Sequence, residues 1–413
     1  MRNPTFLWII VGIMLVLEIY VFQAIKVVLP ATQPRLRLTI FVIYWIISIA
    51  LLTALLSFPY LYETLSKQLR SYLLAIIVGA FFSMLIASLF LAVDDIRRGA
   101  TWIIVRLFRN TEGTNGGAEA ITRSAFLSWL GLGLGGGLFT TLVYGFSNKY
   151  NYTTVRQKLS FSNLPEAFRG LKIVHISDIH SGSFMDKKAV LRGIEKITGE
   201  NPDIILFTGD LVNDRAIEMV EYMDVFNRLK APMGVYSILG NHDYGDYARW
   251  TTREEKAANL ERLKSVHAEL GWKLLMNEHV IFERNNQKFA LIGIENWSAK
   301  GNFPKYGRMS EAYTGTENIP FKILLSHDPS HWDAEVRVKY PDVDIMLAGH
   351  THGMQFGVEL PGFKWSPVQY MYKQWAGLYE EGNQKLYINR GFGFIGYPGR
   401  VGILPEITVI TLT

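Results

Sequence analysis

Seven side chains able to bind a divalent cation recur along the chain in short blocks, each placed just after an apolar run. Asp178 and His180 follow Leu171–Ser177, Asp210 follows Ile204–Thr208, and Asn241, with His242 beside it, follows Val235–Leu239. His327 follows Lys322–Ser326, and His350 and His352 follow Val343–Ala348. Two carboxylates, four imidazoles and one amide oxygen supply enough N and O donors for two divalent first-row metals. The chain has no cysteine, so a metal site must be built from His, Asp, Glu or Asn. One carboxylate shared between two ions would hold them ~3.5–4 Å apart, a spacing suited to in-line displacement at phosphorus by a water deprotonated between them. Gly209, Gly240 and Gly349 stand beside these residues, where tight turns and close backbone approach are needed.

The elements that must position such a set are short strands. The runs named above, together with Phe289–Ile294, read as strands, and Lys187–Thr198, Ala216–Leu229 and Arg253–Leu270 read as helices. This alternation predicts an α/β domain, in which ligands sit beyond the carboxyl ends of the strands. His175 falls inside the first strand and reads as packing. His331 reads as support for the site or as a structural residue, and His267 and His279 as ordinary surface or helix residues.

The first third of the chain has a different character. Of 413 residues, 49% are hydrophobic and 19% charged, which excludes disorder. Four apolar runs, Thr5–Leu29, Thr39–Tyr60, Tyr72–Val93 and Ser124–Phe146, each approach the ~20 residues that cross a bilayer. The domains are therefore expected at 1–147, a four-helix transmembrane region, and 148–413. Residues 1–147 hold 11 Lys+Arg and 6 Asp+Glu, whereas 148–413 hold 31 of each. A neutral soluble part argues against a nucleic-acid partner. The protein is expected in the cell membrane as a multi-pass chain. Its orientation is weakly set, with six basic flanking residues for one topology against eight for the other, a slight lean to an extracytoplasmic domain. Glu18 sits mid-span, and the run Gly131, Gly133, Gly135, Gly136, Gly137 reads as close helix packing. Residues 94–123 are expected as a loop, with Thr101–Asn110 in the membrane interface and a flexible TEGTNGGAEA linker after it.

The ordered blocks DIH (178–180), GDLVND (209–214), GNHD (240–243), SHDP (326–329) and GHTHG (349–353) resemble the calcineurin-like metallophosphoesterase superfamily. The closing stretch Asn389–Leu412, with its Arg-Gly, Pro-x-Arg and Pro-Glu-Ile, is similar to a branch of membrane-associated phosphoesterases. Met354 and Leu404 depart from that branch's pattern, at the substrate rim rather than the metal ligands. The resemblance implies a β-sandwich flanked by helices. It also implies one metal on Asp178, His180, Asp210 and His352 and a second on Asp210, Asn241, His327 and His350. His242 would lie over the phosphate and protonate the leaving oxygen, and Asp243 would orient it. Manganese is the expected ion, with iron, zinc or magnesium as alternatives.

The implied activity is hydrolysis of a phosphodiester or pyrophosphate by a metal-bound hydroxide. The expected partners are membrane lipids and a phosphorylated small-molecule or lipid substrate, such as a UDP-linked diacylglucosamine. The aromatic-rich segment Phe363–Trp375, with two lysines, reads either as a rim resting on the bilayer or as a hairpin packed on the domain. Arg390 and Arg400 could clamp a phosphate or pair with Glu406. The competing function is a membrane sensor or transporter whose phosphoesterase domain binds a nucleotide or lipid phosphate without turnover.

Overall fold

The computed structural model describes residues 4–29, 32–61, 64–108, 123–301 and 303–413. Contacts divide the chain into two units, Met1–Tyr144 and Gly145–Thr413. The first holds α1 (Pro4–Val28), α2 (Pro34–Leu61), α3 (Lys67–Phe108) and α4 (Arg123–Gly145). All four are long and apolar enough to cross a membrane. Leu7, Met14, Leu55, Ile77 and Ala80 form a buried cluster in the bundle. Val42, Ile43, Ile46 and Ile47 are turned outward and exposed, as lipid-facing positions are. The expected loop at 94–123 is corrected in its first half, because α3 runs on to Phe108. Its 42 residues span about 63 Å, well beyond a hydrocarbon core. Arg97 pairs with Asp94 one turn back at 2.9 Å, so the charged stretch continues the helix. The TEGTNGGAEA linker lies outside the described residues.

In the second unit, two six-stranded sheets form the sandwich. The strands are β1 (Thr153–Leu159), β2 (Lys172–Ile176), β3 (Ile204–Phe207), β4 (Val235–Ser237), β5 (Lys273–Leu274), β6 (Glu278–Arg284) and β7 (Gln287–Gly293). They continue as β8 (Lys322–Leu325), β9 (Ile345–Ala348), β10 (Val358–Leu360), β11 (Phe363–Trp365), β12 (Gly377–Glu381), β13 (Gln384–Ile388) and β14 (Glu406–Leu412). One sheet has the order β1-β14-β2-β3-β4-β5 and the other β12-β13-β9-β8-β7-β6. The C-terminal β14 lies inside the first sheet, parallel to β1 and antiparallel to β2.

Strand alternation builds the layers. Ile173, Ile204 and Leu206 of one sheet meet Leu291, Ile323, Leu325 and Leu347 of the other in the central core. The intervening Val174, Ile205 and Phe207 face α5 (Lys187–Gly199), α6 (Met223–Phe226) and α7 (Arg253–Glu269) through Val190, Ile194, Phe226 and Leu263. Both faces of β2 and β3 are thus buried, which is why these strands read as continuous apolar runs. Asp186 caps α5 through the Ala189 N–H at 3.0 Å, and Thr252 caps α7 through Glu255 at 3.1 Å. The helix expected over Ala216–Leu229 is instead a 3-10 turn, Ala216–Tyr222, leading into the single turn of α6. β10 and β11 form a separate antiparallel hairpin.

Candidate metal centre

β2, β3 and β4 run parallel, as do β8 and β9, so all five donor blocks leave their sheets at carboxyl ends. Backbone bonds then knit these ends together. Asp178 N donates to Gly209 O at 2.9 Å, and His327 Nδ1 donates to Thr208 O at 2.6 Å, linking the sheets. Two glycines allow this closeness. A Cβ at Gly349 would lie 2.2 Å from Asp178 Oδ2, and one at Gly240 would lie 2.2 Å from Asp210 Oδ1. Asp178, His180, Asp210, His350 and His352 all adopt positive φ, between 48° and 71°. Non-glycine residues take that region at a cost, and its concentration on donor residues marks a site whose geometry is imposed by the surroundings.

Two donor groups result, Asp178, His180 and His352 in one and Asp210, His327 and His350 in the other, with candidate ligand atoms within 4.8 Å of one another in each. In the first, His180 Nε2 and His352 Nε2 stand 3.0 Å apart, and His352 Nε2 lies 3.3 Å from Asp178 Oδ1. In the second, His350 Nδ1 faces Asn241 Oδ1 at 2.8 Å. Asp210 Oδ2 stands between the groups, 3.5 Å from His180 Nε2 and 3.2 Å from His327 Nε2.

The donors fit divalent ions. With His327 Nδ1 donating to Thr208 O, its buried Nε2 is the nitrogen left to face the site, and among the described residues its neighbour there is Asp210 Oδ2 at 3.2 Å. Asp178 and Asp210 are fully enclosed, and among the described residues each has only imidazoles as ion-pair partners. Burial alone would raise both carboxyls, but His352 beside Asp178 and His327 beside Asp210 hold them below the ordinary range. Burial would lower His327, yet Asp210 pushes it up to about 10. Two buried anions that draw a proton onto a neighbouring imidazole form a site of unmet negative charge, which a divalent cation answers.

His242 lies against this pair, its ring centroid 4.9 Å from that of His180 and 4.4 Å from that of Tyr247. Its backbone N–H donates to Asp210 Oδ1 at 2.8 Å, and its Nδ1 donates to Asn213 O at 2.8 Å. That contact corrects the role expected for Asp243. The Asp243 carboxylate accepts from the N–H groups of Leu211 at 2.8 Å, Asp210 and Gly240 at 2.9 Å each, and Val212 at 3.3 Å. It fixes the loop that carries Asp210, and the Asn213 carbonyl orients the ring. Burial, aided by Asp210, raises the Asp243 carboxyl to about 7.

Two further residues escaped the sequence reading. His350 Nε2 donates to Tyr372 Oη at 3.0 Å, and Tyr372 donates to Asp328 Oδ2 at 3.1 Å, which leaves His350 Nδ1 for the site. Asp328 had a signal, its place in the SHDP block. Tyr372 was hidden in the aromatic segment, whose Tyr372 and Trp375 pack with Val368, Ala376 and Ile403 in a small buried cluster. The arginines are occupied. Arg390 pairs with Glu406 and with Glu359, and Arg400 is buried with its guanidinium on the carbonyls of His352, Arg390, Gly391 and Gly393. His175 bonds Thr208 Oγ1 at 2.9 Å within the core, and His331 bonds Ser326 Oγ at 3.0 Å. His267 lies in the helix α7 as read, but it is fully buried against Ser237 Oγ at 2.9 Å rather than at the surface, and the reading of His279 is corrected, since it is half-buried in β6.

Paired donor pockets at the strand ends of a two-sheet sandwich, in a chain with four membrane-length helices, are the layout of a metallophosphoesterase-type domain joined to a transmembrane region. Residues 171–354 match the family described as calcineurin-like phosphoesterase, and residues 1–149 match the probable calcineurin-like phosphoesterase transmembrane domain. The chain belongs to the calcineurin-like phosphoesterase family. It is 28% identical over 278 residues to the transmembrane protein with metallophosphoesterase domain of Danio rerio, covering 65% of this chain and 60% of that one. The chain thus spans less than two thirds of that relative's length. It is 29% identical over 263 residues to phosphodiesterase YaeI of Escherichia coli, covering 63% of this chain and 88% of the relative. UDP-2,3-diacylglucosamine pyrophosphatase LpxG of Chlamydia trachomatis is 28% identical over 279 residues, covering 56% and 81%.

Proposed function

We propose that the protein is a membrane-anchored, dinuclear metal-dependent phosphoesterase that hydrolyses a phosphodiester or pyrophosphate bond in a lipid-linked substrate. The observation that carries this reading is Asp210 Oδ2, which stands within 3.5 Å of an imidazole of each donor group. One ion would be held by Asp178, His180, Asp210 and His352, the other by Asp210, Asn241, His327 and His350, with manganese the first choice. Two such ions supply Lewis-acid polarisation of the phosphoryl group and lower the pKa of water.

The chain's own residues do the rest. With Nδ1 committed to the Asn213 carbonyl, His242 presents Nε2 to the substrate, where it donates to a phosphoryl oxygen and gives its proton to the leaving oxygen. Asp243 keeps Asp210 in register through the loop amides. The substrate class is supported by the substrate in the chlamydial relative's name and by an exposed apolar group, Met354, Leu360, Phe363, Tyr370 and Met371, in the stretch that follows His352.

The test is metal stoichiometry together with turnover of bis-p-nitrophenyl phosphate in manganese. The wild type is expected to hold about two ions per chain. His242→Ala should lose about 10²–10⁴-fold in kcat with metal content retained, and Asp210→Ala should lose both ions. Metal binding without turnover on any diester would favour a sensing role, and unchanged turnover in the His242 variant would remove the mechanism.

A further inference from the structure

Glu18 stands near the middle of α1 and is 1% exposed. Its carboxylate is only half satisfied. Oε2 accepts from Ser48 Oγ of α2 at 2.5 Å, whereas Oε1 is buried with no hydrogen-bond partner among the described residues. Tyr44, one turn before Ser48, donates to the Glu18 backbone carbonyl at 2.6 Å, so α2 holds both the backbone and the carboxyl of Glu18. Glu18 lines a cleft of about 310 Å³, open on one side, with walls from all four helices. Ser83 of α3 lines the same cleft, and its buried Oγ also lacks a partner. Most of the remaining wall is apolar, including Met84, Leu132 and Phe139, and among the described residues no Lys, Arg or His lines it.

Buried polar atoms without partners are rare, and an ionisable residue inside a membrane span is a functional feature by default. Water is a poor filler here. One molecule occupies about 30 Å³ and needs two to four polar partners, whereas this space is ten times larger and mostly apolar. The volume falls at the lower end of small-molecule pockets, and the pattern of apolar walls with a few convergent polar atoms is theirs. We propose that the membrane unit binds a small amphiphile, an apolar body bearing one ammonium or hydroxyl group. The donor meets Glu18 Oε1 and the body lies against Met84, Leu132 and Phe139. An ammonium would also neutralise an ionised Glu18, and a hydroxyl would be able to accept from Ser83 as well.

Gly136 provides the test, because it lines the cleft and a Cβ built there meets no atom within 4 Å. Gly136→Leu should fill the space without disturbing helix contacts. Full-length protein in lipid nanodiscs is titrated with labelled 1-dodecylamine, 1-dodecanol and dodecane, with empty nanodiscs as the reference. A saturable excess of one molecule per chain is expected for the amine or the alcohol and not for dodecane, weakened about tenfold or more in Gly136→Leu. The arm that saturates identifies the head group. Ser83→Val, on the α3 wall, takes the place of Gly136→Leu if that variant is not monodisperse. Donors that partition no better than dodecane, or binding undiminished in the cleft-filling variant, would overturn the proposal.

Discussion

His350 shows how a single ligand is prepared for a metal. Its ring has two nitrogens, and which one faces the site is decided outside the site, by Tyr372 and Asp328 holding Nε2. Removing the Tyr372 hydroxyl leaves every proposed ligand in place and loosens only the orientation of one. Tyr372→Phe is therefore expected to weaken the second ion by about 10–100-fold while sparing the first. Titrating manganese against activity checks it: turnover should need more metal and recover at saturation. A uniform fall in kcat at every metal concentration would mean that Tyr372 acts on the substrate instead. Asp243 differs in kind, since four loop N–H groups depend on it. The family resemblance implied a contact with the ring, but the turn at 240–245 directs its carboxylate to the amides of 210–212.

At the scale of elements, α3 and α4 approach closely where side chains are smallest. A Cβ at Gly135 would come within 2.5 Å of the Ser83 carbonyl and one at Gly131 within 2.9 Å of the Ala87 carbonyl, but at Gly133 and Gly137 it would meet nothing within 4 Å. The glycine run thus divides into two packing positions one turn apart and others that are free. Gly135→Ala should lower the thermal midpoint of the membrane unit, through overpacking of about 1–3 kcal/mol, and Gly133→Ala should not. A melt of both variants in detergent, followed by helical circular dichroism, would detect the difference, and equal midpoints would refute this division. Elements whose signal is local were legible in the sequence. β2, β3, β8 and β9 are apolar on both faces and end in a donor block, so element and site could be read together. The end of α3 was not, because Asp94–Arg98 looks like the edge of a bilayer span although charged residues with an i,i+3 pair sustain a helix equally well. Nor was the start at Ala216, where the Glu218 carboxylate takes the N–H groups of Asn213 and Arg215 and tightens the first turns to 3-10 geometry.

At the scale of the whole molecule, the sandwich holds imidazoles for two opposed purposes, and acid separates them. Those of the donor groups face buried carboxylates, whereas His267 is enclosed by apolar neighbours, with Phe207 and Trp272 against its ring and Ser237 Oγ as its hydrogen-bond partner. Burial lowers His267 from its ordinary value of 6.5 to about 3. Between those values the unfolded chain takes up a proton that the folded one refuses. Stability contributed by the neutral ring is therefore present above pH 6.5 and is lost as pH falls toward 3, with a limiting slope of about 1.4 kcal/mol per pH unit. Metal release from the donor groups would add its own acid sensitivity, so the comparison must be between variants and not between pH values alone. His267→Asn keeps a polar partner for Ser237 and removes the titration. It should be less stable than the wild type at pH 8, and the gap should close as the pH is lowered from 6.5 to 4. Denaturant melts of the full-length protein in excess EDTA, with metal removed from both chains, measure that gap directly. A gap that stays constant across the range would show that burial does not shift His267, which would then titrate in the fold as it does in the unfolded chain.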